Sequence, residues 1–192
     1  MAASLRTPIG ILSFPNLFSP RPRAAGGEPV YQCSILFDEA AQRDPAFAAL
    51  RKAVLEEIDD KNGPGKSQDR AFLASCRSPF RPCSEKQYSG YDIPNGVFIS
   101  PWTKSRPGIV DAQLQEVMVA EDIWPGQLVR ATVSPFWYDR SGNKGVSFGL
   151  NNIQICRTDG PRLDGRRQAK DDFDSWGGGA GAAAMADDEI PF

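Results

Sequence analysis

Residues Gln127 to Cys156 constrain the fold more than any other stretch. Leu128, Arg130, Thr132 and Ser134 alternate with Val129, Ala131 and Val133, and Phe136-Trp137-Tyr138 close the run. A period of two sends successive side chains to opposite faces, so Gln127 to Tyr138 is a β-strand. Asp139-Arg140-Ser141-Gly142-Asn143-Lys144-Gly145 follows as a glycine-rich hairpin turn, and Val146 to Cys156 returns as the antiparallel partner. Two long strands that share a basic tip need a covered face, which commits the chain to a β-rich core.

The rest of the chain supplies the cover. Ile9 to Phe14 form a short strand closed by a turn at Pro15-Asn16, and the proline- and glycine-rich stretch 18–27 is a loop carrying Arg21 and Arg23. Val30 to Phe37 alternate as a second strand with a buried aromatic face. After Asp38 the period changes to 3.6. Phe47, Leu50, Val54, Leu55 and Ile58 share one helical face, Asp44-Pro45 start the helix and Gly63-Pro64-Gly65 stop it, which predicts a helix over about 44–61. Its other face carries Arg51, Lys52, Glu56, Glu57, Asp59 and Asp60 and is solvated. Val97 to Ser100 is a strand, Trp102 to Pro107 a turn with two cations, Ile109 to Asp111 a brief extended piece, and Glu121 to Gly126 a second turn. Several strands, one helix and turns rich in Gly or Pro fit a small closed β-barrel with insertions, although periodicity alone does not separate a barrel from a sandwich.

Composition narrows the chemistry. A chain of 192 residues accommodates one core and a tail, and its longest apolar runs fall short of the ~20 residues that span a bilayer. No membrane partner is implied, and with Pro8 and Gly10 interrupting the N-terminal region no secretory signal is expected, which places the protein in the cytoplasm. Cys33, Cys76, Cys83 and Cys156 form no C-x-x-C pair and the chain has no histidine, so neither a structural zinc site nor a Ser or Cys triad is expected, and no cofactor is called for. Net charge is −2, but residues 171–192 hold six acids and no base, which leaves the first 170 residues at +4. Within them, residues 38–61 are acidic, and the remainder stands at +7. Such a body suits an anionic partner, nucleic acid first. Between 66 and 96, bases and aromatics interleave, the mixture on which phosphates meet cations and bases stack on rings.

The organisation that follows is one domain, 1–170, and a flexible acidic tail, 171–192. Trp176 to Ala186 is almost wholly Gly and Ala and forms a tether, which ends in Asp187-Asp188-Glu189-Ile190-Pro191-Phe192. Three carboxylates joined to a proline-stiffened apolar end offer a partner an anchor and several charges for Lys or Arg.

Three stretches carry a family resemblance: T-P-I-G-I-L-S-F-P-N-L-F at 7–18, S-R-P-G-I-V-D at 105–111 and G-N-K-G-V-S-F-G-L-N-N-I-Q at 142–154. Together they resemble the phage-encoded single-stranded DNA-binding proteins with an OB fold. The end D-D-E-I-P-F is similar to the acidic tip of bacterial single-stranded DNA-binding proteins, which differ mainly in having Asp where Glu189 stands. The resemblance implies a five-stranded OB-like barrel, sequence-tolerant binding to single strands, and a tip that docks on replication and recombination proteins. It supplies no map of contacts. Residue type and position nominate Lys104, Arg106, Arg130, Arg140 and Lys144 for the phosphates and Trp102, Trp137, Tyr138 and Phe148 for stacking. Arg77, Arg81, Lys86, Tyr88 and Tyr91 extend the groove. Strand alternation sends Trp137 and Tyr138 to opposite faces. A homodimer is compatible with these features, but no residue establishes it. Two rivals are a protein-interaction or virion module without DNA binding, and a metal-dependent nuclease using Asp92, Asp111, Glu121 and Asp122.

Overall fold

The computed structural model describes residues 4–23, 26–86, 90–140, 142–160, 162–165 and 172. In chain order its elements are β1 (Leu5–Arg6), β2 (Gly10–Pro22), β3 (Pro29–Phe37), α1 (Glu39–Gln42), α2 (Pro45–Asn62), α3 (Arg70–Ala74), β4 (Arg81–Pro82), β5 (Val97–Ile99), β6 (Trp102–Thr103), β7 (Gly108–Val110), β8 (Leu128–Arg140) and β9 (Asn143–Arg157). The fold is mainly β with one long helix, as expected, and two short helices, α1 and α3, are added to it. The acidic tail lies outside the described residues except for Asp172. Among the described residues, no helix is long and apolar enough to cross a membrane.

The β8–β9 ladder runs from Leu128↔Arg157 to Arg140↔Asn143. Gly10↔Val129 and Ile11↔Leu128 join β2 to β8, β2 pairs with β3, Tyr31↔Thr103 and Gln32↔Trp102 join β3 to β6, and Trp102↔Gly149 returns to β9. The pairings thus close on themselves through β2, β3, β6, β9 and β8. Because the β2–β8 and β6–β9 seams are so short, this is a ring with narrow joints rather than an evenly hydrogen-bonded barrel. β7 lies parallel on β9 and covers its far half.

The ring and α2 enclose one core. Leu12, Ile35, Phe37, Phe47, Leu50, Val129 and Val133 are fully buried in it, each side chain contributing ~1.5–3 kcal/mol by leaving water. The N-cap of α2 is Asp44, whose carboxylate accepts the Ala46 amide at 2.7 Å, with Pro45 in the first turn where its missing N–H costs nothing. Leu36, Cys83, Tyr91 and Phe98 form a second, smaller cluster behind β3. All four cysteines are free, and burial pushes the thiols of Cys33 and Cys83 up to about 12 and about 11.

Three expectations need correction. The first strand does not stop at Phe14 but continues to Pro22 through the stretch expected to be a loop. Its ladder with β3 shifts register between Ser13 and Asn16 and again between Asn16 and Arg21, and Pro15 and Pro20 fall inside those skipped spans. Bulges of this kind accommodate residues that have no N–H to donate. Leu55 is exposed, since it stands one residue, or ~100°, around the helix from buried Val54. The hairpin connection is tighter than 139–145: pairing persists to Arg140↔Asn143, and Gly142 at φ 82° takes the left-handed conformation that the turn requires.

Candidate nucleic-acid interface

An open groove of about 1550 Å³ runs between the hairpin tip, β6 and the segment 77–85. Its cations are Arg23, Arg77, Arg81, Lys104 and Arg140; its acids are Glu28, Glu85 and Asp139. Trp102 is fixed in the groove by β6 and donates its indole N–H to Ser147 Oγ at 3.3 Å. Phe136 meets it edge to face at 5.6 Å, and the Arg23 guanidinium stands 5.3 Å from its ring centroid. Half-buried rings beside arginine give bases a surface to stack on and phosphates a partner close by.

Two groove cations already hold carboxylates. Arg81 donates through Nε and Nη2 to Glu85 Oε2 at 2.8 and 2.5 Å, and Lys104 Nζ lies 2.5 Å from Glu28 Oε2. The hydrogen bond and charge of Lys104 hold the Glu28 carboxyl below its ordinary range. These side chains are exposed, and exposed pairs are worth little, so another anion could displace either carboxylate at small cost.

The wall at 77–85 is docked on the hairpin by backbone. The Arg77 amide donates to the Lys144 carbonyl at 2.9 Å, and the Val146 amide donates to the Arg77 carbonyl at 3.3 Å. Gly145 makes this approach possible, because a Cβ there would collide with the Arg77 carbonyl. On the other edge of the hairpin, Glu57 of α2 accepts the Trp137 amide at 2.9 Å. The face of α2 expected to be merely solvated therefore reaches the site through Glu57.

Of the nominated residues, Arg77, Arg81, Trp102, Lys104, Trp137, Tyr138 and Arg140 line the groove. Phe148 also borders it but is only 1% exposed, packed edge to face on Phe80, and Tyr91 is 2% exposed against Phe98. Both nominations are corrected: these rings are core and present no free face to a base. Arg130 lies on the outer side of β8, donating through Nε to Gln154 Oε1 at 2.8 Å, and Arg106 covers the Phe18 ring at 4.4 Å; neither lines the groove. Lys86 follows the turn at Cys83–Glu85 outside the groove lining, and Lys144 covers Phe72 instead. Tyr88 and the tip Asp187–Phe192 lie outside the described residues.

Arg23 and Phe136 were not nominated. Both were readable, Arg23 as a cation in a Pro-Gly stretch and Phe136 as the residue two before Tyr138, hence on its face. Among the described residues no three acids or cysteines gather in a way that could hold a metal, so Asp92, Asp111, Glu121 and Asp122 form no such site.

The family model described as Enterobacter phage Enc34, ssDNA-binding protein, matches residues 9–188. No curated protein matches the chain. In fold it is similar to the single-stranded DNA-binding protein from bacteriophage Enc34 in complex with ssDNA, with a TM-score of 0.65 and 16% identity over 81% of this chain and 87% of that one. A second structure of the Enc34 protein gives 0.59 and 20% identity over 88% and 89%. The single-stranded DNA-binding protein gp2.5 encoded by bacteriophage T7 gives 0.57 and 11% identity over 86% and 97%.

Proposed function

The chain belongs to the Enterobacter phage Enc34 ssDNA-binding family, and from that membership we propose that it binds single-stranded DNA, without sequence preference, in the groove at the hairpin tip. The observation that carries this reading is the convergence of Trp102, Phe136 and Tyr138 with Arg23, Arg77, Arg81, Lys104 and Arg140 around one open groove. Cations track the backbone, and rings stack on whichever base is offered, since every base has a π-face. The groove's task is binding rather than catalysis. In a host cell the protein coats and protects single strands during phage replication, recombination and repair, while Asp187–Phe192 recruit a protein partner with a basic, apolar-seated surface.

Anisotropy titrations of oligo-dT against duplex DNA at several salt concentrations test the reading. Single strands should bind more tightly, and log K should fall with log salt by about 0.7 per phosphate contacted. Binding indifferent to salt, or a preference for duplex, overturns it. For the tail, removing 187–192 should abolish partner recruitment and tighten DNA binding at low salt, by removing carboxylates that compete with phosphate.

A further inference from the structure

Alternation along β8 gives the hairpin tip a second working face. Phe136 turns to Trp102 in the groove, whereas Trp137 lies nearly parallel to Phe72 of α3, with centroids 6.0 Å apart and planes at 16°. Over that same Phe72 ring stand two ammonium groups, Lys144 Nζ at 4.7 Å and Lys66 Nζ at 5.2 Å from the centroid. Two like charges held at one half-buried ring repel, and the cation–π contacts offset only part of that repulsion. Among the described residues the carboxylate paired with them is Asp69, 3.1 Å from Lys66. Lys144 has no ion-pair partner among the described residues, unlike Lys104 and Arg81 in the groove. Asp139 stands opposite Lys144 in the ladder, but no ion pair joins the two, so the Lys144 ammonium keeps its capacity for an anion.

The platform adjoins the groove. Trp137 lines the groove with one part of its surface, and groove residue Arg77 is bonded through its amide to the carbonyl of Lys144. Lys66, Phe72 and Lys144 themselves lie outside the groove lining. We infer that Lys66 and Lys144, seated on Phe72, are a second contact site for the same DNA strand: the strand leaves the groove past Trp137 and sets a backbone phosphate against the two ammonium groups. A phosphodiester accepts charge-assisted N–H···O bonds from both lysines. The inference rests on the groove being the single-strand site and extends its footprint around the hairpin tip.

The full chain and its Lys66→Gln/Lys144→Gln variant should be titrated with dT oligomers of about 6 and about 16 nucleotides, towards the two ends of the ~4–16-nucleotide reach of single OB barrels. The short oligomer, which fills the groove alone, should bind both proteins within about twofold and so also reports that the variant is folded. The long oligomer should lose affinity on the order of tenfold at low salt, and its salt slope should shrink by about 0.7, for the one phosphate no longer contacted. An unchanged long-oligomer slope overturns the second site while leaving the groove standing. Equal losses on both oligomers also overturn it, since the lysines then act inside the groove or through the general field. If the unsubstituted chain binds neither oligomer, the groove reading fails and the second site with it.

Discussion

The stem and the tip of the β8–β9 hairpin share one ladder and use it differently. In the stem, Leu128–Val133 against Leu150–Arg157, the inward residues Val129, Ala131 and Val133 are buried, and β1, β2 and β7 flank both edges. Its two cations are occupied, Arg130 by Gln154 and Arg157 by Asp159. In the tip, Pro135–Arg140 against Asn143–Phe148, no strand flanks β8 among the described residues, rings occupy both faces, and Arg140 and Lys144 crowd the turn. Stability is concentrated at one end, which frees the other to present cations and half-buried rings that a folding core would not select for themselves.

The sharpest break in this division is Phe148, a tip residue that packs like the stem. Phe148→Ala should cost about 3–5 kcal/mol in urea unfolding, as a ring removed from a closed core does, and a loss below about 1 kcal/mol would return it to the candidate stacking residues. Next in size is Trp102→Ala, expected to weaken oligo-dT binding by about 1–3 kcal/mol while leaving the unfolding midpoint far less affected than Phe148→Ala does. A charge comparison within one strand follows. Arg140→Gln should lower the salt slope by about 0.7, and Arg130→Gln should leave it unchanged; equal effects would erase the distinction between tip and stem. The smallest effect belongs to Glu28. Its folded pKa is depressed by Lys104, so the carboxylate persists at neutral pH and is protonated only as pH falls through that lowered value. Glu28→Gln should therefore raise DNA affinity slightly at pH 7. The difference from the unsubstituted chain should vanish as the pH falls below the pKa of Glu28, where both side chains are neutral.

Sequence made the hairpin legible because a strict period of two admits one structure, and it made α2 legible because Asp44-Pro45 and Gly63 mark both ends. It failed at β2, where prolines that argue for a loop are tolerated once bulges remove the need for their N–H. In the groove, the cations nearest the tip were legible from charge and position. Tyr91 and Phe148 were not, since an aromatic residue in a basic neighbourhood looks the same whether its ring faces bases or the core. Glu57 was hidden by its helical position, because its partner is an amide 80 residues away.

That Glu57 bond also bears on self-association. Beyond Val133, the outer edge of β8 has no neighbouring strand among the described residues, and an unpaired strand edge is a template for adding another chain. The carboxylate at the Trp137 amide occupies one of the donors an incoming strand would need, and it places a negative charge where that strand would have to lie. This edge is in this way barred to a second polypeptide. Glu57→Val, which removes the acceptor and the charge together, should let the protein grow edge to edge, read as concentration-dependent sedimentation in the absence of DNA.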